Sequence, residues 1–270
     1  MGKKITPNTA SNMNVKLKVK ASSLKELLEH VNVNNSIDPV KVLFTDEGAT
    51  IWAHDANKTL QIFIDEAVLD SYELKSDAGS IVFESKRVSE MLAAKFGNEV
   101  VSISAKAGSA IEFKSGKSSM QYYPPSEDEC FVVPDHWVLP SNDEGDIVYP
   151  MLEDAESTLR VNIHPDELKK ALTDMRVANA SYASIQFSKD DSVSESGHWA
   201  NKSNTSKTSI EATVIRGKGS VTFPEVLGSV ISRLDGSADI QKHDETPFFI
   251  IRSGTTRILV TEAQRADGGQ

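Results

Sequence analysis

The chain has one cysteine, Cys130, in 270 residues, which excludes an internal disulfide and any thiolate-built metal cluster within one copy. No apolar run approaches the roughly 18 residues needed to span a membrane. The opening "MGKKITPNTASNM", 1–13, lacks the apolar h-region of a secretory signal. These absences set the expectation of an intracellular chain with no membrane contact. A cationic balance is lacking too: 29 Lys and Arg against 39 Asp and Glu give a net charge of −10. That excludes a surface coated all over with cations for nucleic acid, and leaves open cations gathered on one face. Catalytic patterns are absent as well. The six histidines, His30, His54, His136, His164, His198 and His243, have no spacing that brings two together on one helix face. No nucleophile context accompanies them. "SGKSS", 115–119, has the tail of a phosphate-binding loop, but Ile111 stands where the first glycine belongs and a strand pattern follows it, so it reads as a hairpin turn. Neither enzyme activity nor a cofactor or metal is expected. Cys130 lies in an acidic stretch, where neighbouring carboxylates raise a thiol pKa and leave it unreactive.

What is present is a repeated order of short elements. "VKLKVK", 15–20, alternates Val15, Leu17 and Val19 with Lys16, Lys18 and Lys20, the pattern of a half-buried strand. "SSLKELLEHV" follows as a helix with Ser at its cap and Leu24, Leu27, Leu28 and Val31 at helical spacing. Strands "VKVLFT", "TIWAH", "TLQIFID" and "SIVF" lead to a second helix, "SKRVSEMLAAKF", and then to "VVSISA", "AIEFK" and "SSMQYY". The second half repeats this with "TLRVNI", the helix "HPDELKKALTDM", "YASIQFS", "SIEATVIRG", "SVTF", the helix "PEVLGSVISRL", "ADIQK", "PFFIIR" and "TRILVTE". Gly97 and Gly236 fall where the helices of each half stop in the left-handed conformation. The repeat is one of architecture, since few residues match between halves.

Between the halves, Pro124–Ser157 is rich in proline and carboxylates and reads as an extended connector whose apolar Phe131, Trp137, Leu139 and Tyr149 dock on the domains. "SGHWANKSNTSK" reads as a long hairpin loop. The domain expectation is a disordered tail at 1–13, a first domain at 14–125, the connector at 126–157, a second domain at 158–263 and a flexible tail at 264–270.

On helical wheels the second helix buries Val88, Met91, Leu92 and Phe96 and turns Lys86, Ser89, Glu90 and Ala93 outward. The third buries Leu168, Ala171, Leu172 and Met175, and the fourth Val226, Leu227, Val230 and Leu234. Apart from first-turn carboxylates that complement helix dipoles, the helices carry Lys25, Lys86, Arg87, Lys95, Lys169, Lys170, Arg176 and Arg233 against Glu26, Glu29, Glu90 and Asp174. Eight cations against four anions reverse the sign of the whole chain. An ordinary solvated helix face of mixed charge accounts for the same count.

In the order of these elements over residues 14–263 the chain resembles the sliding clamps of DNA replication, the PCNA family and the T-even-phage processivity clamps. "TDEGATIWAHDANKTLQI", with Asp55 as the corner acid, is similar to a clamp strand–turn–strand–corner–strand segment. "SSMQYYPPSEDECFVVP" is similar to a phage-type entry into the connector, and "ILVTEAQ" to the C-terminal partner-binding strand. The chain departs in having His54 where Met is common, in a longer connector, and in Glu26 and Glu29 on the first helix. The resemblance implies an α+β fold of two clamp-type domains built from repeated βαβββ units, with helices lining the inside of a ring and sheets outside. It implies a homotrimer closed head-to-tail through Ser118, Met120 and Tyr122 of one copy and Ile210, Ala212 and Val214, on an edge strand 208–215, of the next. The eight helix cations would face duplex DNA without reading sequence. Short clamp-binding peptide motifs of a DNA polymerase or repair enzyme would enter a pocket of His54, Val132, Val133, Pro247, Leu259 and Thr261. A separate ATP-dependent clamp loader would open the ring. The alternative is a non-enzymatic β-rich adhesin or protein-recognition module, which equivalent helices in both halves argue against.

Overall fold

The alternation of Val15–Lys20 (β1) is realised: Val15, Leu17 and Val19 are buried while Lys16 and Lys18 are exposed. The structure, a computed structural model, describes residues 5–9, 12–33, 35–180, 182–189, 191–197, 206–224, 227, 228, 230, 231, 234 and 236–262, and Ser229 by its backbone. The chain divides into two compact units that meet at Val138 and Leu139.

In the first unit, β1 is followed by α1 (Ala21–Val31), β2 (Val40–Thr45), β3 (Gly48–His54), β4 (Leu60–Ala67), β5 (Glu73–Leu74), β6 (Gly79–Phe83), α2 (Ser85–Lys95), β7 (Val100–Ala105), β8 (Ile111–Ser115) and β9 (Ser118–Tyr122). One antiparallel sheet runs β5-β1-β7-β8-β9, and a second run orders β4-β3-β2-β6. β3 and β6 are buried along their whole length and β2 along nearly all of it, the signature of strands covered on both faces. The expected Ser cap of α1 is not used. Lys20 holds the cap position without a side-chain bond, and the Ser23 hydroxyl instead accepts from the Asp70 amide at 3.1 Å. Because α1 packs along α2, the buried stripe of α2 is wider on that side than a wheel suggests. Ser89, expected outward, is buried, and Met91 is only half-buried.

The second unit contains β10 (Val148–Tyr149), β11 (Ala155–Glu156), β12 (Leu159–Ile163), α3 (Pro165–Val177), β13 (Tyr182–Phe187), β14 (Val193–Gly197), β15 (Ser206–Ser209), β16 (Ala212–Arg216), β17 (Gly219–Phe223), α4 (Gly228–Ile231), β18 (Ala238–Lys242), β19 (Phe248–Ser253) and β20 (Thr256–Thr261). Its sheets run β16-β12-β18-β19-β20 and β15-β14-β13-β17. Strand for strand this is the order of the first unit, so the expected repeat holds in topology. Gly97 and Gly236 have φ of +55° and +70°, as helix-stopping glycines do.

Three expectations need correction. The run "SIEATVIRG" is not one strand: it divides into β15 and β16, which belong to different sheets. Ile210 at the crossing is buried and its amide donates to the Ser192 carbonyl at 2.8 Å. The connector is not simply extended. It forms single 3-10 turns at Glu127–Glu129, Asp135–Trp137 and Pro150–Leu152 and the β10-β11 hairpin, and the boundary between the units lies inside it. The segment 1–13 is not a free tail where it is described. Pro7 is buried, Asn8 donates from Nδ2 to the Val133 carbonyl at 2.7 Å, and the Asn12 carbonyl accepts from the Ser80 amide at 2.9 Å. Gly79 permits that last approach, since a Cβ there would stand 2.4 Å from the Asn12 oxygen. The expected C-terminal tail, residue 263 and the loop 198–205 lie outside the described residues.

Candidate nucleic-acid and partner-binding surfaces

The helix cations differ in how free their charges are. On α2, Lys86 and Lys95 are exposed with no carboxylate within ion-pair reach among the described residues. Arg87 is paired with Glu84 at 2.9 Å and lies 5.6 Å from the centre of the Tyr122 ring. On α3, Arg176 is exposed without a carboxylate partner among the described residues, whereas Lys169 meets Asp166 at 2.9 Å. Lys170 reaches Glu167 at 3.6 Å and donates to the Ser209 carbonyl at 3.0 Å. The Lys169 ammonium, by hydrogen bond and charge, holds the exposed Asp166 carboxyl below its ordinary pKa. On α1, Lys25 is half-buried and neutralised by Glu29 at 2.9 Å, and Glu26 is exposed. Arg233 lies outside the described residues. The basic character of the helix faces therefore rests on Lys86, Lys95 and Arg176, with Ala93 exposed between the two lysines.

The start of α2 is fixed by groups distant in sequence. Asp38 Oδ1 accepts from the Ser85 amide at 2.6 Å and from its hydroxyl at 3.0 Å, and the Tyr122 hydroxyl accepts from the Glu84 amide at 2.8 Å. These bonds satisfy donors that a helix N-terminus otherwise leaves open. No local motif marks them, because Asp38 and Tyr122 come from other parts of the fold.

The connector meets β3 in the first unit. Ala53 and Val132 form an antiparallel bridge, the His54 amide donates to the Phe131 carbonyl at 3.0 Å, and the Val133 amide to the Trp52 carbonyl at 3.1 Å. His54 is buried between Phe131, 5.4 Å away, and Trp137, 6.2 Å away, and its Nδ1 contacts the Asp55 carbonyl at 2.7 Å. Lys58 Nζ stands 4.8 Å over the Trp137 ring. Asp55 Oδ1 accepts from the Leu60 amide at 2.8 Å, which closes the corner recognised in the sequence. Val133 is fully buried, Val132 half-buried and Phe131 45% exposed. Here the structure adds Lys58, Phe131 and Trp137 to His54, Val132 and Val133. In the second unit Pro247 is exposed, and its carbonyl accepts from the Glu262 amide at 2.8 Å. Leu259 is buried and Thr261 half-buried, so Leu259 serves the core.

Among the expected assembly residues, Ser118 and Met120 are half-buried on β9, the last strand of its sheet. Tyr122 is buried and committed to Glu84. β15 ends the other relevant sheet. Ala212 and Val214 lie on β16, not on the β15 edge, and Ile210 is interior, because the chain changes sheets between them.

A charged cluster in the second unit gave no signal in the sequence. Asp146, fully buried, meets Arg160 at 3.3 Å and Arg216 at 3.1 Å; Arg160 also meets Asp239 at 3.2 Å, and Arg216 meets Glu156 at 3.0 Å. Gln241 Oε1 accepts from the Ile147 amide at 2.7 Å and the Ser157 hydroxyl at 3.0 Å. The Gly145 carbonyl accepts from Gln241 Nε2 at 2.9 Å and from Arg252. Acidic connector residues thus lie across the outer face of β12, β16 and β18. Burial first, and Glu127 second, push the Cys130 thiol up to about 12.

No protein-family model matches the chain, and no curated protein matches it in sequence. Its fold is nonetheless that of the PCNA sliding clamps, with two domains of the same α+β plan. The proliferating cellular nuclear antigen of Entamoeba histolytica superposes with a TM-score of 0.67 at 12% identity, over 93% of this chain and 100% of that one. A. fulgidus PCNA bound to the C-terminal region of FEN-1 gives 0.66 at 11% identity, over 94% and 100%. PCNA of Thermococcus kodakaraensis gives 0.65 at 11%, over 92% and 100%. Among the described residues no helix is long and apolar enough to cross a membrane.

Proposed function

We propose that this chain is a DNA polymerase processivity factor: a sliding clamp in which three copies close head-to-tail around duplex DNA. The observation that carries the reading is the repeated topology, which leaves β9 at the end of one sheet in the first unit and β15 at the end of another in the second. Two unlike edges on one chain suit a heterologous contact that repeats until a ring shuts, and pairing them covers edges that otherwise invite uncontrolled association. Lys86, Lys95 and Arg176 supply weak, salt-sensitive attraction to phosphates, with no base edge read. Ala93 adds no bulk between the lysines. Enclosure supplies the persistence that such contacts lack, so the protein acts as a scaffold and not as a catalyst.

Partner peptides of a polymerase or repair enzyme would anchor beside His54, Phe131 and Trp137; that a clamp of this fold takes such a segment is supported by A. fulgidus PCNA, which is bound to the C-terminal region of FEN-1. An ATP-dependent loader would open the ring. Sedimentation equilibrium across a concentration series tests the assembly. A species near three times 29.5 kDa is expected at the upper end. A monomer throughout, or a closed dimer, overturns it.

A further inference from the structure

The internal repeat places Lys16 of β1 where Arg160 stands in β12, each the second residue of its strand and four residues before the N-cap, Lys20 or His164, of the helix that follows. Lys16 lies opposite Lys75, as the Leu17–Leu74 pairing and the bond from the Lys75 amide to the Lys16 carbonyl at 2.7 Å establish. Arg160 lies opposite Arg216 in the same way. Like charges directly across a strand pair repel. In the second unit the repulsion is relieved by Asp146, an acid from the connector seated between the two guanidiniums. In the first unit no connector acid occupies the corresponding place: Lys16 has no carboxylate partner among the described residues, and Lys75 has only Glu73.

The surrounding face extends the pattern. Register puts Lys18 across from Ser102, and Ser102 across from Lys114. Lys18, Lys75 and Lys114 are 49%, 44% and 57% exposed. The outer face of β5-β1-β7-β8 thus holds Lys16, Lys18, Lys20, Lys75 and Lys114 against Asp70, Glu73 and Glu112, five cations to three anions in a chain of net charge −10. Lysines two apart on a strand stand about 7 Å from one another along it, a spacing that suits carboxylates on a second extended chain. Among the described residues β5, β1, β7 and β8 turn no aromatic ring to this face, and the exposed Tyr123 stands beyond the far strand β9, so an acidic polypeptide fits the lysines better than a single-stranded nucleic acid that needs successive stacking rings.

We propose that this face is a docking site for an acidic, extended polypeptide segment of a partner protein, one carboxylate of which sits between Lys16 and Lys75 as Asp146 sits between Arg160 and Arg216. The inference is independent of the clamp reading, since it concerns a sheet face and neither the helices nor the edges. The test uses the full-length chain and two labelled synthetic peptides. One reproduces residues 141–156 of this chain, with Asp143, Glu144, Asp146, Glu153, Asp154 and Glu156; the other replaces those acids with amides. Fluorescence anisotropy is expected to show salt-sensitive binding of the acidic peptide alone. Zero-length carbodiimide crosslinks are expected at Lys16, Lys18 or Lys75. The K16E/K75E variant is expected to weaken binding by about tenfold or more, and K106E, on an exposed turn, to leave it unchanged. Equal binding of the amide peptide, crosslinks confined to the helix lysines, no binding, or an unaffected K16E/K75E variant would overturn the proposal. So would an oligonucleotide of equal charge that binds more tightly and protects the same lysines, which would assign the face to nucleic-acid phosphates.

Discussion

Asp146 and Cys130 show how much a single side chain depends on neighbours that local sequence does not name. Asp146 reads as one more acid in a polar connector, yet it is fully buried and holds two arginines from separate strands. Removing one partner of such a set leaves the others uncompensated. Asp146→Asn should therefore cost about 2 kcal/mol in urea unfolding, below the ~3–5 of a fully buried pair, because the guanidiniums keep access to water. Glu156→Gln, which breaks an exposed pair with Arg216, should cost no more than about 1 kcal/mol. Equal effects would place the weight of the cluster elsewhere. Cys130 was legible in direction, since its acidic neighbours are adjacent in sequence, but the larger cause is burial, which is a property of the fold. With its thiol raised from 9.0 to about 12, the thiolate fraction at pH 8 falls about a thousandfold relative to the unfolded chain. Ellman kinetics in buffer and in urea measure this, and equal rates would contradict it.

Most strands and the four helices read from the sequence were visible as periodic patterns, because each has one buried face and alternation or helical spacing records that face directly. What escaped were events with no periodic trace. The alternation of Ile210, Ala212 and Val214 continues unbroken through the point where the chain leaves β15 and enters β16, so one strand and two strands in different sheets look alike. The cap of α2 was likewise invisible, since its acceptor is Asp38. Asp38→Ala should destabilise the protein by about 1–2 kcal/mol, checked by thermal or urea melts; a change under ~0.3 would show that water replaces the carboxylate. The helix charges divide at this scale too. Reversing Lys86 and Lys95 together should weaken duplex binding and lower the slope of log affinity against log salt by about 2. Lys169→Glu should change that slope less, because Asp166 already neutralises this lysine.

At the scale of the whole chain, the repeated order of elements was the most legible feature, and more than any one segment it pointed to the fold that the superpositions show at 11–12% identity. The candidate site was read less completely. Its cations were found by helical position, but position does not reveal which are spent on neighbouring carboxylates, and the aromatic set around His54 needed the connector to fold back onto β3. Under the proposed function, a net charge of −10 together with the free cations of α2 and of α3 would favour DNA contact at these helices and disfavour it elsewhere. The most direct measurement is topological. Copies carrying Ser119→Cys on β9 and Thr208→Cys on β15 are mixed with nicked circular DNA, closed with a bismaleimide, washed in high salt and detergent, and the circle is then cut. Crosslinked trimers should stay with the circle through the washes and leave once it is linear. Trimers that wash off the intact circle, or that remain on the linear form, would contradict encirclement.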